Sequence, residues 1–174
     1  MKHVFIELRG EDMATIAVSL PAMTGFNTRP RELQPTDSLD FHIWLPRTRQ
    51  CVFNAWTIPE YIELWSNTDQ CPDVHAEVDL SRGTSLLVAQ NNGSTLYRIE
   101  GSYITIHRPN RLVLTWSFHS STWNWDSLIQ VNFEDVTGGT MLDVVQSPIG
   151  RTEDQELHAR WWQDRMDRLM RLLS

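Results

Sequence analysis

The chain has 174 residues, 41% of them hydrophobic and 21% charged, with a formal net charge of −7. That length suits one domain with a real core, and the composition is unlike that of a disordered chain. The acidic balance excludes a nucleic-acid backbone or an anionic membrane as the main partner, because both repel such a surface.

Residues 2–8 and 14–20 each alternate or run apolar around Gly10-Glu11-Asp12, a pattern that predicts a short hairpin. The apolar run near the N-terminus is too short for a signal peptide, and no stretch reaches the ~18 apolar residues of a membrane span. A cytoplasmic protein without membrane contact is expected. Residues 21–37 hold three prolines and one glycine with no periodicity and read as an extended arm. Two parts are therefore expected: a hairpin and arm over 1–37, and a folded domain over 38–174.

From Ser38 the pattern sharpens. LDFHIWLP reads as a strand ended by Pro46, and residues 47–56 as a helix with Val52, Phe53 and Trp56 on one stripe. Thr57-Ile58-Pro59-Glu60 has the form of a capping box with proline in the first turn, so a second short helix follows through YIELW. Strands are predicted at 74–80, 84–90, 95–107, 111–118, 127–136 and 140–147. Asn91-Asn92-Gly93, Pro109-Asn110 and Thr137-Gly138-Gly139 are the turn signals. Gaps this short leave no room for helical crossovers, so the sheet should be antiparallel.

Thr152-Glu153-Asp154-Gln155 is a second capping-box pattern, opening a helix that runs to Leu173. Trp162, Met166, Leu169 and Leu173 repeat on one face of it, while Glu156–Arg160, Asp164–Arg168 and Asp167–Arg171 are i,i+4 acid-to-base pairs on others. At ~1.5 Å per residue, about 21 residues make a rod of roughly 30 Å, long enough to cross a curved sheet. The expected architecture is α+β: a helix-grip fold, with a curved antiparallel sheet wrapped around a long C-terminal helix and two short helices after the domain's first strand.

Several ordered pieces then coincide with one family pattern. Val52, Phe53, Ala55, Trp56, Thr57, Pro59, Glu60 and Trp65 form the first. Asp79, Arg82 and Gly83 follow, then Gly101, Ile106, Pro109, Arg111, Leu112, Val113, Thr115 and Trp116. Gly138, Gly139, Thr140 and Leu142 come next, and Trp162, Met166 and Leu169 close the series. Over about four-fifths of its length the chain resembles the START-like, helix-grip superfamily, and within it the AHSA-type family, named after the C-terminal domain of a chaperone ATPase activator. The departures are Thr84 for a second glycine, Trp161 where a glycine is common, and Gln146 where many members have histidine.

The resemblance implies a cavity between sheet and helix that takes a small, mostly apolar molecule without catalysis. Trp65, Tyr103, Trp116, Phe118, Phe133, Trp162 and Met166 are the candidate ligand-binding residues, unless Trp161 and Trp162 fill the space. A cyclase- or hydrolase-like enzyme using His158 or His119 for proton transfer is one alternative, and a chaperone co-regulator acting through its surface is another. No cofactor is implied. His75, Glu77 and Asp79 share one strand face, either a row of metal ligands or a solvated face; the apolar set Val74, Ala76, Val78 and Leu80 opposite favours the second, so no metal is expected. Cys51 and Cys71 have no metal or redox spacing and read as reduced thiols. Trp123 and Trp125, in the hairpin segment HSSTWNWDS, are assigned to the cavity mouth, to a partner contact such as a homodimer, or to a contact with the arm of residues 21–37.

Overall fold

The computed structural model describes residues 5–8, 38–121, 124–149 and 152–174. Its elements in chain order are β1 (Phe5–Leu8), β2 (Leu39–Leu45), α1 (Arg49–Ala55), α2 (Pro59–Ser66), β3 (Asp73–Asp79), β4 (Thr84–Asn91), β5 (Ser94–His107), β6 (Arg111–Ser120), β7 (Asn124–Val136), β8 (Gly139–Ser147) and α3 (Thr152–Leu172). The strands form one antiparallel sheet in the order β1-β2-β8-β7-β6-β5-β4-β3. From β3 to β8 the sheet is a meander. The two short helices carry the chain from β2, beside β8, to the opposite edge.

The turns follow local chemistry. Asn92 and Gly93 both have positive φ (50° and 78°), as a tight two-residue hairpin between β4 and β5 requires. Thr48 caps α1 by accepting a hydrogen bond from the Cys51 N–H at 3.4 Å. The capping box expected at Thr57 is not formed. Ile58 occupies the cap position without a side-chain bond, and the Thr57 hydroxyl donates to the Phe53 carbonyl at 3.0 Å. Thr57 is buried, so the end of α1 supplies its nearest acceptor, while Pro59 at the first helical position removes one donor that a cap would have served.

Period-two alternation puts Leu39, Phe41, Ile43 and Leu45 of β2 on the concave face, with His42 and Trp44 outside. Leu112, Leu114 and Phe118 of β6, Ile129, Val131 and Phe133 of β7, and Leu142 and Val144 of β8 continue that face. Helix α3 lays its predicted stripe against it: Trp162, Met166 and Leu169 have no exposed surface, and Leu173 is buried. The polar side of α3 carries the Asp164–Arg168 pair at 3.7 Å, whereas Asp167 accepts from Gln163 at 3.1 Å. Gly139 is placed where β8 passes close to β2, since a Cβ there would lie 2.1 Å from the Leu45 carbonyl oxygen.

At the N-terminus, β1 pairs with β2 at the sheet edge, Phe5 opposite His42 and Leu8 opposite Leu39. Residues 14–20, its expected hairpin partner, and the arm of residues 21–37 lie outside the described residues, as do Trp123 and the side chains of Thr152–Gln155. Among the described residues, no helix is long and apolar enough to cross a membrane.

Candidate functional site

A cavity opens between α2 and the β3–β6 half of the sheet. Its floor is buried and apolar: Trp56, Ile62 and Trp65 from the helical segment, Ala76 from β3, Leu87 from β4, Ile99 from β5, and Leu112 and Leu114 from β6. Half-buried Val78, Ser85, Leu86, Tyr103 and Trp116 ring its mouth. Counting the mouth, it encloses about 510 Å³ of space, of which about 40 Å³ is open to the centre of a water-sized sphere. The second figure decides what enters without rearrangement. One water needs ~10–15 Å³ of such space, so a few waters fit. Anything larger must push side chains aside.

Two hydroxyls interrupt the apolar lining, those of Ser85 and Tyr103. Burial pushes the Tyr103 phenol up to about 12, so it stays protonated and able to donate. Its hydroxyl makes no hydrogen bond among the described residues. Gly101 gives Ser85 its room, since a Cβ there would lie 2.2 Å from Ser85 Oγ and 3.0 Å from the Thr115 carbonyl oxygen.

One side of the cavity is closed by indoles. Trp65 packs on Trp56 (centroids 5.3 Å apart), Trp56 on Trp162 (6.0 Å), Trp162 on Trp116 (5.7 Å), and Trp116 meets the edge of Trp161 (5.9 Å). Five of the eight tryptophans thus form one chain. Trp162 is fully buried, and this cavity lies to one side of it.

Behind Trp162 sits a buried polar group of four residues. Trp162 Nε1 can only donate, so the Gln146 atom 2.8 Å away is Oε1. Gln146 Nε2 then donates to Ser127 Oγ at 2.9 Å, and His158 Nδ1, 3.3 Å from the same Oε1, must carry a proton. The His158 ring packs on Trp125 with centroids 4.2 Å apart and the planes tilted by 36°. Burial holds its imidazole well below the ordinary value, at about 4, so at neutral pH the ring is uncharged.

The predicted site residues therefore separate. Trp65, Tyr103 and Trp116 line the cavity together. Phe118 faces a different cleft, on the far side of Trp161. Phe133 lies under α1 against the edge of Phe53, and Trp162 and Met166 are fully buried packing residues; none of these three reaches the cavity. The expectation of one common lining is corrected on this point, because Trp162 packs on Phe41 of β2 and donates to Gln146 of β8, so this part of α3 fills the concave face rather than bordering the cavity. His158 is enclosed by Trp125 and Gln146 rather than placed at the cavity, and His119 is exposed on the opposite face of β6. Trp125 is half-buried and packs on His158. His75 and Glu77 face solvent, His75 lying 3.2 Å from Glu63 and 3.4 Å from Glu77. Among the described residues no group of three His, Cys, Asp or Glu side chains could hold a metal ion.

Sequence reading missed Ile62, Leu87 and Ile99 as lining residues. The signal was the alternation that put Ala76 and Val78 on an apolar strand face, extended to the paired strands β4 and β5.

Comparison with known proteins agrees with this architecture. Ms6760 from Mycobacterium smegmatis shares 14% identity, with 83% of this chain and 96% of that one covered and a TM-score of 0.65. CalU16 from Micromonospora echinospora shares 20%, over 79% and 76%, with a TM-score of 0.58. DynU16, from the dynemicin biosynthetic locus, shares 22%, over 80% of this chain and 48% of its own, with a TM-score of 0.62. No curated protein matches the sequence. The family described as Activator of Hsp90 ATPase homolog 1-like protein matches residues 46–174, from the end of β2 through α3. The chain belongs to that family.

Proposed function

We propose that the protein binds a small, mostly apolar molecule bearing one hydrogen-bond acceptor, in the cavity between α2 and strands β3–β6. The observation that carries this reading is a largely apolar lining with two donors that have no partner among the described residues, the Tyr103 hydroxyl and the buried Trp56 Nε1. Such a site favours a carbonyl or ether oxygen on a hydrocarbon frame, because the apolar body is driven in by burial and the single acceptor orients it. Tyr103 and Trp116, half-buried at the mouth, are the side chains that give way to admit anything larger than a few atoms. An enzymatic role has less support, since neither His158 nor His119 lines the cavity.

A thermal-shift screen with fatty acids, flavonoids and aromatic polyketides tests the reading, and the biosynthetic locus of DynU16 motivates the last class. A ligand at 100 times its dissociation constant adds about 2.7 kcal/mol of stability. For a chain of this length that is a rise in Tm of roughly 5–11 °C. Binding should also change tryptophan emission through Trp56, Trp65 and Trp116. Tyr103→Phe should weaken acceptor-bearing ligands and leave plain hydrocarbons unaffected. A screen in which no compound moves the midpoint by more than about a degree would overturn the proposal.

A further inference from the structure

On the far side of Trp161 from the apolar cavity lies a second, wider cleft, with about 1400 Å³ of space counting its mouth where the apolar cavity has about 510 Å³. It is bounded by the Thr68–Cys71 turn, the ends of β5 and β6, and the first half of α3. Arg165 of α3 lines it and is only 4% exposed. Its Nη2 donates to the Tyr97 hydroxyl at 2.7 Å and its Nη1 to the Trp161 carbonyl at 3.1 Å. The guanidinium carbon stands 3.7 Å from the centroid of the Trp161 ring, and Nε, itself shielded from solvent, has no hydrogen-bond partner among the described residues.

The missing feature is a counter-charge. Among the described residues no carboxylate is paired with Arg165. Asp69 and Asp164, the two acids of this cleft, both lie within reach of Arg168 instead, at 3.5 and 3.7 Å. A guanidinium stays charged at any physiological pH, and burying it without an opposite charge is costly. The Trp161 face offsets part of that cost. The planar fork matches a carboxylate in shape, and the walls beside it are aromatic: Tyr97, Phe118 and Trp161.

We propose that this cleft binds an amphipathic carboxylate, its acid group on Arg165 and its flat apolar body against Tyr97, Phe118 and Trp161. This site is separate from the apolar cavity, from which the Trp116–Trp161 contact divides it.

Calorimetry with 2-naphthoate and its neutral counterpart 2-naphthamide tests the assignment on the intact chain. Naphthoate should bind the wild type roughly tenfold or more tightly than the amide, the scale of one charge-assisted hydrogen bond. That advantage should shrink as salt is raised and vanish in Arg165→Met. Arg98→Met, which removes an exposed arginine outside both cavities, should leave it unchanged. If Arg165→Met does not fold, Arg165→Lys keeps the charge without the fork and should lower naphthoate affinity severalfold. Equal binding of the two probes by the wild type, no binding of naphthoate, or undiminished preference in the folded Arg165 variant would each overturn the proposal. Competition by inorganic phosphate as strong as that of naphthoate would also overturn it, since it would assign the cleft to small anions rather than to amphipathic acids.

Discussion

His158 makes the stability of this fold depend on pH in a calculable way. The ring is enclosed by Trp125 and Gln146, and burial holds its imidazole at about 4 in the folded protein, against 6.5 for a free histidine. Between those values the unfolded chain binds the extra proton and the folded one does not, so stability rises with pH there and is lost as pH falls from 6.5 towards 4. At pH 5 the linkage relation gives a loss of about 2 kcal/mol relative to pH 7.5. For a chain of this length that is a Tm lower by roughly 4–8 °C. His158→Phe keeps a ring against Trp125 and leaves Gln146 Oε1 with its Trp162 donor, but removes the titration. Urea unfolding of both proteins at pH 7.5 and 5.0 isolates the effect, because the two chains differ in no other titratable group. The wild type should lose about 2 kcal/mol more than the variant over that interval. If the two slopes agree within about half a kcal/mol, burial of His158 does not control its protonation and the reasoning fails.

Two packing predictions follow from the same core. Met166→Ala, at a position with no exposed surface, should cost about 2–5 kcal/mol in urea unfolding, and a loss below about half a kcal/mol would place α3 wrongly. Gly139→Ala should destabilise more than Gly101→Ala. The first Cβ meets the rigid Leu45 carbonyl at 2.1 Å, the second mainly the Ser85 hydroxyl, which can rotate away. Thermal unfolding of the pair checks the order, and adding Ser85→Ala should recover part of the loss in Gly101→Ala and none in Gly139→Ala.

Much of the fold was legible because it rests on short-range pattern. The alternation of LDFHIWL, the Asn92-Gly93 turn and the stripe Trp162–Met166–Leu169 each state which face is apolar, and faces of known polarity assemble in few ways. The departure at Gln146 was visible too, but its role was not. Only the pairing of β7 with β8 and the seating of α3 bring its amide to Ser127, Trp162 and His158 at once. The same holds for Thr57, whose capping pattern lost to a carbonyl that the end of α1 presented.

What the sequence by itself determined is the set of apolar surfaces: the strands, their turns, the long helix, and therefore a sheet that grips it. What only the tertiary structure decided is where the space between them remains. Periodicity reports that Trp116, Phe118, Phe133, Trp162 and Met166 point inward, yet it does not distinguish a residue that fills volume from one that borders it. That choice depends on how closely α3 and α2 approach the sheet, a balance of side-chain volumes drawn from every strand at once. Arg165 shows the limit most clearly, because on a helix surface an arginine reads as solvated, and only the folded positions of Tyr97 and Trp161 turn it into a buried charge.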